Sequence, residues 1–77
     1  SRPEDIPELY EDLRFDVALE IINRYGIDYI LYGDVERGRY GSAGEDKFIE
    51  NLDVVCQTPL GSSRIYRVDP QLTAMAP

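Results

Sequence analysis

The chain has 77 residues, 43% apolar and 30% charged, so it is one small domain at most, and neither wholesale disorder nor a membrane-spanning identity fits its composition. Fifteen acidic against eight basic residues leave a net charge of −7 without a histidine, which argues against a nucleic-acid surface and against the His and Cys clusters that hold zinc and most transition metals. The single cysteine, Cys56, allows no internal disulfide.

Residues 1–12, SRPEDIPELYED, are acidic and contain Pro3 and Pro7, and they read as an extended lead-in with one helical turn from Pro7 to Tyr10. Asp12 is placed to cap a helix over Leu13 to Tyr25, where Leu13, Phe15, Val17, Ala18, Ile21 and Ile22 lie on a wide apolar arc opposite Asp16, Glu20, Asn23 and Arg24. Gly26 follows as the residue able to take the left-handed conformation that ends a helix. Ile27 to Tyr32 is a β-favourable run without alternation and reads as the first strand. The next segment, GDVERGRYGSAG, has four glycines in twelve residues and reads as irregular, before a short helix from Ser42 or Ala43 to about Asn51 with Phe48 and Ile49 inward. Leu52 to Gln57 alternates as a second strand with Cys56 as a core thiol, TPLGSS turns the chain, and Arg64 to Val68 forms a third strand. The last residues, 70–77, read as a flexible tail.

These elements predict a small two-layer α+β domain over residues 13–69, ordered α-β-α-β-β. Its sheet is expected to be three-stranded and antiparallel, in the order 1-3-2, with two helices on one face. Three strands and two helices leave the other face open, so Tyr29 or Tyr32 and the aliphatic residues beside it are expected to be exposed or covered by a partner.

Residues that can carry chemistry concentrate between 33 and 47. Gly33 to Gly38 has the glycine spacing of a phosphate loop, but Arg39 and Tyr40 stand where such a loop needs Lys and Ser or Thr, and Asp34 and Glu36 repel phosphates. Asp34, Glu36, Glu45 and Asp46 are interleaved with Arg37, Arg39 and Lys47, so they read as a solvated loop with weak ion pairs rather than a carboxylate dyad or metal site. Arg37, Arg39 and Tyr40 form the better candidate, because a guanidinium beside an aromatic ring suits a carboxylate, a phosphate or a sugar. With Glu36 they constitute a loop that either binds a ligand or ties itself to the domain, Tyr40 then lying as a lid on the core. No catalytic, cofactor-binding or metal-ligating residue is assigned, and no cofactor is expected.

The succession Leu9-Tyr10, then Arg24-Tyr25-Gly26-Ile27-Asp28-Tyr29-Ile30, Gly33-Asp34-Val35-Glu36-Arg37, Tyr40-Gly41, Lys47-Phe48 and Arg64-Ile65-Tyr66-Arg67-Val68 resembles the C-terminal soluble tail of large prokaryotic multi-pass membrane proteins. The family is the one with a "Chlor_Arch_YYY" membrane domain, whose relatives are membrane glycosyltransferase-like, and the resemblance covers about residues 9 to 68. It implies an extracytoplasmic, non-catalytic accessory domain, attached to the membrane through the transmembrane remainder of its parent, which handles lipid-linked saccharides. A start at Ser1 rather than Met is the form expected of such a piece. Glu36, Arg37 and Tyr40 are the family-like loop positions, whereas Asp34 departs from the small or apolar residue the pattern expects and weakens an anionic ligand there. Two other readings stand beside it: a free-standing module whose acidic helix or sheet face docks a protein, and a small ligand-binding domain using the 33–47 loop.

Overall fold

The computed structural model describes residues 3–60 and 62–75. The first helix, α1, spans Asp5–Glu11, where an extended lead-in is expected from the two prolines. Pro7 falls within the first turn, where a missing N–H breaks no helical hydrogen bond, and Asp5 and Glu8 complement the positive helix end. Leu9 carries α1 into the core. Helix α2, Phe15–Tyr25, begins later than the periodicity predicts because Asp12 Oδ1 accepts the Arg14 N–H (2.8 Å) in the preceding turn, and this leaves Leu13 outside the helix and exposed. Gly26 ends it at φ 64°, and the Ile27 N–H reaches back to the Ile22 carbonyl at 3.0 Å, a closure that needs a residue tolerant of positive φ.

Strand β1 is Tyr29–Tyr32, and the residues after it form helix α3, Asp34–Tyr40, where the glycines had pointed to irregular chain. The reason is local: the Glu36 carboxylate accepts the Gly33 N–H at 2.7 Å, which satisfies one otherwise free donor at the helix start, and Gly41 (φ 84°) rather than Gly38 ends the helix. A 3₁₀ turn, Ala43–Glu45, leads into α4, Asp46–Asn51, followed by β2, Asp53–Gln57, and β3, Arg64–Arg67. Helix α5, Pro70–Met75, replaces the flexible tail expected from residue 70. Pro70 occupies its first position, Asp69 Oδ1 accepts the Gln71 N–H at 2.9 Å, and Leu72 packs against the core. The packed unit therefore takes in both flanks of the predicted 13–69 domain; residues 1, 2, 76 and 77 lie outside the described residues.

The sheet has the predicted order, β1-β3-β2, antiparallel throughout. Ile30, Tyr66 and Val54 share one row and Tyr32, Arg64 and Gln57 the next on the face turned to the helices. Tyr29, Arg67 and Asp53, then Leu31, Ile65 and Cys56, form the rows of the outer face. A bulge between Val54 and Cys56 breaks the expected alternation of β2: it turns Cys56 onto the outer face, where the thiol is exposed rather than in the core. Ile49 likewise points outward on α4, whose inner side is taken by Lys47 and Phe48. The core consists of Leu9, Ala18, Ile21, Ile22, Ile30, Tyr32, Phe48, Leu52, Tyr66 and Val68.

Two glycines make opposite predictions. A Cβ on Gly44 would stand 1.8 Å from the Tyr10 carbonyl oxygen, so only glycine lets the 3₁₀ turn lie against the end of α1, and Gly44→Ala is expected to abolish cooperative thermal unfolding. A Cβ on Gly38 meets nothing within 4 Å on an exposed part of α3, so Gly38→Ala should stabilise the domain by about 0.5–1 kcal/mol in urea denaturation.

Candidate functional site

Helix α3 aims Arg37 at the carboxylate of Glu45, which the 3₁₀ turn carries beneath it. Arg37 Nε donates to Glu45 Oε1 at 3.0 Å and Nη2 to Oε2 at 3.1 Å, the bidentate pairing that a planar guanidinium favours. The remaining Arg37 donors reach the carbonyls of Tyr32 (3.3 Å) and Ser62, and Asp34 lies 3.7 Å away. Glu45 is almost completely buried and also accepts from Tyr66 Oη (2.6 Å) and Arg64 Nη1 (3.4 Å). Burial alone would raise the Glu45 carboxyl, but hydrogen bonds from Arg37 and Tyr66 and the two guanidinium charges outweigh it and hold the group below the usual carboxylate range. The Tyr66 hydroxyl is pushed up to about 12, first by burial and then by Glu45.

The predicted candidate residues thus fall into separate roles. Arg37 uses four of its five N–H donors within the fold, Glu36 caps α3, and Tyr40 stacks on Tyr10 with ring centroids 4.9 Å apart and planes 5° from parallel. That places Tyr40 as a lid, with Tyr10 packed edge-on against Tyr32 at 5.2 Å. Arg39 stands exposed, with no ion-pair partner among the described residues. Arg37, Arg39 and Tyr40 do not converge on one ligand position. The sequence reading missed Glu45, which it took for a solvated loop carboxylate. The available signal is the spacing of Arg64 and Tyr66 on one strand, two inward groups that require a buried acceptor.

Lys47 is the second buried charge that sequence reasoning placed in solvent. Its Nζ donates to the carbonyls of Gly44 (2.8 Å) and Tyr10 (3.1 Å) and lies 4.4 Å above the Phe48 ring. Burial pushes the amine down to about 8, against the pull of Asp12. Its carbonyl acceptors belong to the same contact that requires Gly44, so Lys47 fastens the end of α1 to α4. At the other end of α1, buried Asp5 accepts from Arg24 Nη1 (3.1 Å) and from the Tyr25 hydroxyl.

Among the described residues no group of three or more His, Cys, Asp or Glu side chains is arranged to hold a metal ion. A shallow groove of about 370 Å³ is lined by Glu4, Pro7, Glu8, Glu11 and Asp12, away from Arg37. Comparison with protein families, curated proteins and solved structures finds no match to this chain.

Two predictions follow from the buried charges. Arg37→Ala leaves Glu45 buried with its main partner gone and is expected to cost about 3 kcal/mol in chemical denaturation, and Arg37→Lys should recover little because an ammonium cannot reproduce the bidentate pairing and carbonyl bonds. The lysine acts on pH dependence. Folding depresses its pKa to about 8 from 10.5, so the unfolded chain binds more protons between these values and stability rises with pH across that window. Tyr10 and Tyr66, raised to about 12 from 10.0, reverse the trend above pH 10 as the unfolded phenols ionise first. Urea titrations from pH 7 to 11 should show the rise in the native chain and its loss in Lys47→Met.

Proposed function

We propose that the domain is a non-catalytic docking module, which meets its partner on the outer face of the sheet and uses residues 33–47 to hold its own fold together. One contrast carries this reading. Of the candidate loop, Glu36 and Arg37 are bonded to internal partners and Tyr40 is stacked on Tyr10, which leaves Arg39 alone in water, whereas Tyr29 (60% exposed), Leu31 (48%), Val55 (51%) and Cys56 stand uncovered on or beside the outer face. A row of neighbouring apolar side chains left in water is the usual mark of an interaction surface. The alternative of a ligand-binding loop draws little support from Arg37, four of whose five donors already have acceptors.

The sequence resemblance supplies the setting of this proposal: an extracytoplasmic accessory domain of a polytopic parent similar to lipid-linked-sugar glycosyltransferases, with the chemistry in the parent and lipid-linked saccharide as its substrate. No helix among the described residues is long and apolar enough to cross a membrane, so membrane attachment in this reading comes through the parent.

A photo-crosslinking amino acid at Leu31 or Ile65, compared with one at exposed Asn23 on α2, tests the docking face in producing cells. Adducts are expected from the sheet positions and not from position 23. Equal yields, or none from the sheet, would refute the assignment. Membrane fractionation with external protease tests the setting separately, and protection of the domain in intact cells would place it on the wrong side.

A further inference from the structure

We propose that the outer face of the sheet docks a second copy of this chain, the two sheets packing face to face. The inference rests on the docking reading above and names its partner.

The distribution of charge selects both the face and the occupant. Helices α1 to α4 each carry at least two carboxylates, and the chain has a net charge of −7, so two copies repel one another through their helical sides. On the three strands the sole acid is Asp53, opposite Arg67 across β2 and β3, and neither has an ion-pair partner among the described residues. The outer face is therefore locally neutral and carries both signs. Stacked sheets lie about 10 Å apart, and each helical layer sits a further ~10 Å behind its sheet, so face-to-face docking keeps the two acidic layers several Debye lengths apart. Pairing two β2 edges side by side would instead bring the α4 carboxylates Asp46 and Glu50 of both copies closer together.

The register makes the face complementary to itself. A two-fold axis running along the strands, between β3 and β2, sets Arg67 of each copy over Asp53 of the other and Ile65 over Cys56. Leu31 and Tyr29 then reach past β2 of the second copy, toward its uncovered edge and Val55. A partner of a single charge would leave one of Arg67 and Asp53 opposed by its own sign. The two strands of each copy that overlap under this axis, at about 4.8 Å spacing, make a face well below the ~800 Å² per partner of a standard interface, so the dimer is weak.

Sedimentation equilibrium and amide NMR of the full chain from about 10 µM to 1 mM test for this dimer. A concentration-dependent dimer is expected, with shift changes centred on Asp53, Cys56, Ile65 and Arg67 and extending to Leu31 and Tyr29. Leu31→Lys, at a position already half in water, should weaken association at least tenfold while the spectrum remains that of the folded domain. Arg67→Asp and Asp53→Arg should each be monomeric alone and should associate when mixed in equal amounts. A native chain that stays monomeric to 1 mM, association that survives Leu31→Lys, or shift changes confined to the β2 edge would each overturn the proposal. If a charge variant does not fold, Leu31→Lys decides the matter. A monomeric native chain that still yields Leu31 adducts to another protein in cells removes self-association and keeps the docking reading; absence of both removes both.

Discussion

The guanidinium of Arg37 is the point at which the separate elements of this small domain are joined. It leaves α3 and binds the 3₁₀ turn through Glu45, β1 through the Tyr32 carbonyl and the β2–β3 connection through the Ser62 carbonyl. Glu45 extends the same network to β3 through Tyr66 and Arg64. Without the arginine, a carboxylate would be left beneath the sheet with one phenol and one distant guanidinium, and burial would favour its neutral form. With it, two glycine-bounded segments that have little apolar surface of their own are fixed to a hydrophobic core.

Tyrosine supplies much of what a chain of this size lacks in aliphatic volume. Tyr32 and Tyr66 are fully buried and Tyr10 is half-buried, yet each hydroxyl has an acceptor: the Gly41 carbonyl at 2.6 Å, the Glu45 carboxylate at 2.6 Å and the Leu31 carbonyl at 2.9 Å. The rings thus contribute large contact areas without leaving a buried hydroxyl unpaired. The bond from Tyr10 has a further effect, since it occupies a carbonyl on the β1 side of the sheet. The β2 edge instead carries a bulge between Val54 and Cys56, which disrupts regular pairing with a further strand.

Paired charges and exposed apolar side chains accordingly lie in different parts of this molecule. Arg37, Glu45 and Lys47 of the charged segment are turned inward and held by their partners, while Tyr29, Leu31 and Cys56 of the strands face solvent. A guanidinium can serve a ligand only with donors it has not already spent. Exposed apolar side chains on a rigid sheet need no such freedom, because they bind by losing contact with water.

The sequence by itself determined the features governed by short-range periodicity. The apolar arc of Phe15 to Tyr25, the glycine that stops it and the β-favourable runs at Tyr29, Val54 and Ile65 are visible in neighbouring residues, and the 1-3-2 sheet follows from their order. Also legible was the open sheet face, expected from the two helices the sequence predicts and kept although the described residues form five. Tertiary structure decided the rest. Helix α3 survives its glycine content because Glu36 caps it and Arg37 is anchored from outside, and α5 forms where Asp69 and Pro70 can start a helix and Leu72 finds the core. Cys56 faces water because one bulged residue reverses the side-chain alternation. Glu45 and Lys47 look like solvated loop charges in one dimension; apart from the Gly44 carbonyl three residues before Lys47, their acceptors and donors come from residues 8 to 37 positions away, a distance at which no local pattern records whether a charge will be paired and buried or left in water.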